Sequence, residues 1–248
     1  MTESEFGVPI PGRVRPPEQW TRTALKKLPD DGPVDWAAIF GRMAPLVVDI
    51  GCGNGRFVLG SALRRPELNH LGVDILPLVL RYATRRANQR GLANVRFAAC
   101  DGWRLLDRYV APAGLREIHS YHPQPYHERR DIGKRLWTPA FLLKAHQALE
   151  PDGLLYLQSD NGPYWGYLCA IAPALFDWKE HEAPWPEDPR GRTRREILAR
   201  KKKLRVYRGW GRRRDLSAEE ARQRVELLPP PDFDAGPRRA DLERLERE

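Results

Sequence analysis

The sequence predicts an α/β fold. It is a doubly wound, mostly parallel sheet with helices on both faces, an irregular N-terminal arm and a charged C-terminal tail. Three observations predict it. Short β-branched runs alternate with segments of helical period from about residue 45 to residue 172. The turns between them are short, as right-handed strand–helix–strand crossovers require. The ends of the five strands then fall at Asp49, Asp74, Asp101, the loop 122–126 and Asp160, so four of five carry a carboxylate.

Each element follows in order. Residues 1–33 are rich in Pro, Arg and Lys and read as an irregular arm, with "VDWAAIF" (34–40) as a short leading helix. "PLVVDI" (45–50) is a buried parallel strand, and 55–65 reads as a helix. "HLGVDI" (70–75) is the second strand, and 76–91 a helix capped by Gly91. "VRFAAC" (95–100) is the third strand, followed by a helix over 102–110. "EIHSYH" (117–122) is the fourth strand, and 138–153 a helix stopped by Pro151 and Gly153. "LLYLQS" (154–159) is the fifth strand, and 162–172 a helix. Beyond 173 the pattern weakens to a loop (183–192), a helix over 193–203 and a last strand over 204–210. Thr193, with Glu196 three residues on, has the spacing of a capping box. The domain division is an arm over 1–40, an α/β domain over 41–215 and a tail over 216–248, read as appended and mobile.

Composition narrows the function. The chain has 248 residues and a net charge of +9. Arg190 to Arg214 holds thirteen Lys/Arg and one acid, Glu196, a local +12 that leaves −3 for the rest. Charge concentrated this way favours a polyanion partner, the plainer alternative being a solvated charged face. Trp185, Tyr207 and Trp210 are interleaved with it, either to stack on bases or to pack in the core, and the core is favoured for Tyr207. Arg13, Arg15, Lys26 and Lys27 of the arm extend the same footprint. No apolar run approaches the ~18 residues of a membrane span, and no secretory signal is legible. Cys52, Cys100 and Cys169 are scattered and lack metal-ligand spacing, so a reduced, cytoplasmic protein without a metal is expected.

The sharpest local signal is "VVDIGCGNGRF" (47–57). A strand runs into Gly51, Gly53 and Gly55 and then into a helix. Glycines there permit positive φ and let a ligand approach the backbone. The spacing is not that of the dinucleotide fingerprint, whose third glycine would fall at Arg56. Asp49 would repel a pyrophosphate but attract an amino group or a sulfonium.

These residues resemble the first motif of the S-adenosylmethionine-dependent methyltransferases, a Rossmann-like class. The resemblance implies that Asp49, Gly51, Gly53 and Gly55 cradle the cofactor, that Asp74 takes its ribose, and that Asp101, with Gly102, takes its adenine. Further along, "HPQPYHERRDIGKRLWTPAFL", "LLYLQSDNGPY" and "TRREILAR" occur in the order of the bacterial tRNA (guanine-N7)-methyltransferases, over about residues 35–210. That resemblance implies a cytoplasmic tRNA-binding enzyme, with a monomer favoured, that methylates N7 of a guanine in the variable loop. It places Gln124 and Asp160 at the reaction. It places Arg129, Arg130, Lys134, Asp160, Thr193 and Glu196 against the tRNA, with Arg135 in the same basic run.

The chain departs from that family's pattern. Gln124 stands where the family has a loop aspartate, Tyr126 where it has Trp, Glu128 where it has a substrate-contacting Lys, and Arg195 where an aromatic is usual. Guanine N7 has a lone pair and no proton to remove, so no general base is required, and Gln124 can still accept a hydrogen bond. Two other functions fit the same residues: a non-catalytic protein that binds cofactor and RNA, and a methyltransferase for another substrate.

Overall fold

The structure is a computed structural model that describes residues 3–29 and 32–239. The arm begins with a small hairpin of β1 (Ser4–Glu5) and β2 (Val8–Pro9). β3 (Ala24–Leu25) then joins the main sheet at its edge, so the arm is not wholly irregular. Helix α1 (Trp36–Phe40) is capped by the Asp35 side chain and closed by Gly41 at φ +71°.

The core elements alternate as expected. They are β4 (Leu46–Ile50), α2 (Arg56–Arg64), β5 (Asn69–Asp74), α3 (Pro77–Gln89), β6 (Val95–Ala99), α4 (Gly102–Arg104) and β7 (Leu115–Tyr121). A π-helical turn over Leu105–Tyr109 extends α4. Then come α5 (Pro139–Ala148), β8 (Leu149–Ser159), α6 (Gly162–Ile171), β9 (Phe176–Glu180), α7 (Arg194–Lys201), β10 (Tyr207–Arg213) and α8 (Ala218–Glu226). The helix expected to run to 153 stops at Ala148, because Leu149 already pairs with Leu115 of the sheet. Pairing with a neighbouring strand overrides local helical preference.

The eight-stranded sheet has the order β3-β6-β5-β4-β7-β8-β10-β9. Pairs from β3 through β8 are parallel, while β10 runs antiparallel to both β8 and β9. Leu46, Val48 and Ile50 face one apolar layer, shared with Phe141, Leu142 and Leu168. The two-residue period of the strand turns Val47 and Asp49 to the opposite face. That face carries the second layer, built on Phe57, Leu59, Leu80, Ala83 and Phe97.

The segment after β10 is a correction to the sequence reading. It is not a loose appendage as far as residue 239. α8 opens with a full Ser217–Glu220 capping box, and its Ala221 and Val225 are buried. The Tyr167 hydroxyl donates to the Pro229 carbonyl (3.2 Å). Residues 240–248 of the expected tail lie outside the described residues. Among the described residues, no helix is long and apolar enough to cross a membrane.

Candidate active site

The sheet order decides where a ligand can sit. Chain order reverses between β4 and β7, and at such a reversal the loops leaving two neighbouring parallel strands diverge and open a crevice. The loops at this edge begin at Asp101, Asp74, Gly51, His122 and Asp160, in that spatial order. The four aspartates and the proline loop therefore do share one edge.

The glycine loop has the geometry of a cradle. Gly51 and Gly53 hold φ of +78° and +52°, and a β-carbon on either would meet open space. Gly55, also at positive φ, serves packing instead. A β-carbon there would come within 2.8 Å of Ala83 and 3.0 Å of Phe97, so the glycine lets α2 lie close on α3. Gly102 likewise packs closely, since a β-carbon would stand 2.6 Å from Ile50. Asp74 receives N–H bonds from Gly53 and Leu76, both at 2.9 Å, one on each oxygen. Asp101 caps α4 by accepting from Arg104 N (2.8 Å) and stays exposed.

Asp49 is buried, and its Oδ1 has no hydrogen-bond partner. Burial, then the nearby Asp74, raises its carboxyl well above the usual range, while Arg192 opposes the shift. Arg192 is itself buried and donates to the Tyr121 hydroxyl (2.8 Å). A buried, unsatisfied carboxylate oxygen beside an open glycine cradle fits the amino group of S-adenosylmethionine. Asp74 fits its ribose, because its backbone N–H partners leave the carboxylate with acceptor capacity to spare.

The adjoining loop is strained at both ends. His122 and Tyr126 take φ of +54° and +47°, a region costly for side chains of this size. His122 is pinned there by two contacts, Nδ1 to Asp160 Oδ1 (2.9 Å) and Nε2 to the Gln158 amide (2.8 Å). Asp160 Oδ2 accepts from Arg195 Nε (3.1 Å) and Nη2 (2.9 Å). Despite burial, these two partners hold the Asp160 carboxyl far below its ordinary range. Gln124 is exposed at the rim of a cavity of about 320 Å³ that Asp160 and Arg195 also line.

The expected tRNA-facing residues divide. Arg129, Arg130 and Lys134 are exposed on a 3-10 segment beside the loop, with Arg130 paired to Glu128 and Lys134 to Asp131. Thr193 caps α7 by accepting from Glu196 N (3.0 Å). Glu196 completes no capping box. Its side chain turns inward to Arg208 and to Arg192 N, and it is fully buried. Arg135 is also buried, and Trp185 is a core residue whose indole donates to Gln158 (2.8 Å). Tyr207 stacks on Trp165 and Trp210 on Tyr156. Within the +12 segment, Arg192 and Arg208 are internal, while Arg200, the lysines 201–203 and Arg205 are exposed around the C-terminal end of α7. Arg13 and Arg15 are exposed beside the C-terminal end of α3, at the opposite edge of the sheet.

Sequence reasoning missed several residues that shape this site. Glu5 is buried and binds Asn54 (2.6 Å), Arg56 (3.2 Å) and Arg86 (2.7 Å), strapping the arm onto the glycine loop. Arg195 was legible only as a departure from an aromatic. Nothing local in the sequence marks Glu5, Arg192 or Gln158.

A glycine cradle, a buried carboxylate oxygen without a partner and an aspartate at the end of the next strand, at the switch point of this sheet, fit an S-adenosylmethionine-dependent methyltransferase. Comparison with known proteins agrees. The family described as "Putative methyltransferase" matches residues 43–208. A tRNA (guanine-N(7)-)-methyltransferase of Rubrobacter xylanophilus is 30% identical over 173 residues, 68% of this chain and 77% of that protein. One of Streptococcus suis is 33% identical over 142 residues, 57% of this chain and 66% of that protein. The chain belongs to the tRNA (guanine-N(7)-)-methyltransferase family. It spans 66% of the length of the Streptococcus suis relative and 57% of one from Syntrophotalea carbinolica. Among solved structures, the 16S rRNA methyltransferase KamB shares the fold, with a TM-score of 0.56 at 16% identity over 77% of this chain and 98% of that one.

Proposed function

We propose that this chain transfers a methyl group from S-adenosylmethionine to N7 of a guanine in the variable loop of tRNA. The observation that carries the reading is the adjacency of two sites on one sheet edge. The glycine cradle with Asp49 and Asp74 leaves β4 and β5, and the cavity under the His122–Tyr126 loop leaves the neighbouring strands β7 and β8. The names borne by the relatives support the choice of substrate.

When bound, the cofactor supplies an electrophilic methyl group on a sulfonium. The protein's own work is to hold and orient. Gly51 and Gly53 let the ligand lie against the backbone, Asp49 receives its amino group, and Asp74 receives its ribose hydroxyls. On the substrate side, N7 attacks with its lone pair, so positioning in line with the methyl supplies much of the rate. Gln124 at the cavity rim accepts from a guanine N–H. Asp160, kept ionised by His122 and Arg195, fixes the loop that carries Gln124. Arg129, Arg130 and Lys134 meet phosphates, which position the RNA without reading its sequence. Thr193 and Glu196 act from below by setting α7. With all three cysteines free, the reading includes a reducing, cytoplasmic setting, and it takes the chain as a monomer.

The test is nucleoside mass spectrometry on tRNA incubated with the protein and methyl-labelled cofactor. Labelled 7-methylguanosine is expected. Label on another nucleoside overturns the substrate. No label, with tRNA and cofactor both bound, replaces the enzyme by a binding protein.

A further inference from the structure

Residues beyond the family-matched part of the chain build one side of the cavity. The match ends at residue 208, yet Ala235, Gly236, Pro237 and Arg239 line the cavity together with Gln124 and Asp160. Their attachment is specific. Asn161 Nδ2 donates to the Ala235 carbonyl (2.8 Å), and His127 Nδ1 donates to the Gly236 carbonyl (2.7 Å). Arg135 Nη1 donates to the carbonyls of Pro231 (2.6 Å) and Phe233 (2.9 Å). The same guanidinium stands 3.7 Å from the centroid of the Phe233 ring, and that ring packs on Tyr164 and Tyr167.

Of their partners, His127 and Asn161 line the cavity, and Arg135 also donates to the carbonyls of Pro125 (2.6 Å) and Tyr126 (2.9 Å), tying the segment to the proline loop. Pro229, Pro230, Pro231 and Pro237 stiffen the segment, so little conformational entropy remains to be lost on binding. Ala235 is 4% exposed, whereas Arg239 stands exposed at the rim. Arg239 and Arg195 are the arginines of the lining, and Arg195 is committed to Asp160.

We propose that residues 229–239 are a substrate-binding wall, whose carbonyls hold the loop 122–135 in place and whose Arg239 contacts a phosphate of the RNA beside the entering guanine. A guanidinium fits a phosphate through two parallel N–H bonds. The proposal rests on the tRNA reading above and deepens it, because nothing in the matched part of the chain supplies this wall.

The experiment uses the full-length chain with Arg239→Ala, Arg239→Lys and Phe233→Ala. Binding of unmodified tRNA is followed over a salt series, and S-adenosylhomocysteine affinity is measured by calorimetry. Arg239→Ala should weaken tRNA binding and make its log–log salt slope shallower by about 0.7–0.9, the share of one phosphate. Arg239→Lys should restore the slope. Phe233→Ala should weaken tRNA binding at least threefold with cofactor affinity unchanged. An unchanged slope in Arg239→Ala overturns the phosphate contact, and tRNA binding equal to the parent in all three variants overturns the wall. A parent that makes 7-methylguanosine with no change in these variants leaves the function standing and the wall refuted. A parent that binds tRNA through Arg239 but makes no 7-methylguanosine does the reverse.

Discussion

Arg195 clamps Asp160 through Nε and Nη2, 3.1 and 2.9 Å from the same carboxylate oxygen, while His122 takes the other oxygen at 2.9 Å. The carboxylate at this strand end is therefore held on both sides. Its charge organises the loop, and a direct contact to guanine would need its remaining lone pairs. Asp160→Asn should lower the methylation rate by about 10- to 100-fold, the range of a charged hydrogen bond worth roughly 1.5–3 kcal/mol. Arg195→Ala should cost a similar factor, and the double variant no more than either alone, because the two act as one unit. Full additivity of the two effects would show that Asp160 acts on the substrate independently of the clamp.

Gln124 gives a complementary test. It is exposed at the rim and lacks the charge of the family's loop aspartate. Gln124→Asp should raise the rate by up to about tenfold, the ~1.4 kcal/mol that separates neutral from charged hydrogen bonds. Gln124→Ala should lower it. Single-turnover kinetics on tRNA transcripts would measure both, and equal rates in all three proteins would remove Gln124 from the site.

Glu196 looks like a substrate residue from sequence and is a fully buried partner of Arg208 in the structure. Removing one member of a buried ion pair leaves the other charge uncompensated. Glu196→Ala should therefore destabilise the fold by about 3–5 kcal/mol in urea unfolding. A variant of parental stability with weakened tRNA binding would return Glu196 to the RNA surface.

Asp49 predicts a pH dependence with a definite sign. Its raised carboxyl pKa means the folded protein without ligand holds a proton that the unfolded chain would release, so stability falls as pH rises through that window. A ligand amino group requires the ionised form, so cofactor binding should release a proton and tighten as pH rises. Calorimetry with S-adenosylhomocysteine in two buffers of different ionisation heat would measure the release. Asp49→Asn should abolish it and flatten the pH dependence of both stability and affinity. Binding that is pH-independent in the parent would remove Asp49 from the cradle.

The exposed lysines 201–203 run from the last residue of an eight-residue helix into the turn after it, and the helix's other end, capped by Thr193, leads to Arg195 and the cavity. At 1.5 Å per residue the cluster stands about 12 Å along the helix from that end, within reach of a tRNA backbone seated over the cavity. Replacing all three with Ala should make the log–log salt slope of tRNA binding shallower by about 0.7–0.9 for each phosphate no longer neutralised. A parental slope near zero would make the cluster a solvated face.

The amino-acid sequence by itself determined what depends on neighbours in the chain. The β-branched runs, the glycine spacing of 51, 53 and 55, the carboxylates at 49, 74, 101 and 160, and the Thr193 cap are all local patterns, and local sterics and periodicity suffice to read them. Strand alternation then fixed which edge those carboxylates share. What only the tertiary structure decided is which polar groups meet once the strands are ordered. Glu5 reaches Arg56 across 51 residues, Arg56 reaches the Gly191 carbonyl across 135, and His127 reaches Gly236 across 109. The sorting of the +12 segment into buried partners and exposed cations, the inward turn of Glu196 and the packing of residues 229–239 have the same origin. A buried charge or carbonyl must find a partner wherever the fold brings one, and that choice leaves no periodic trace in the chain.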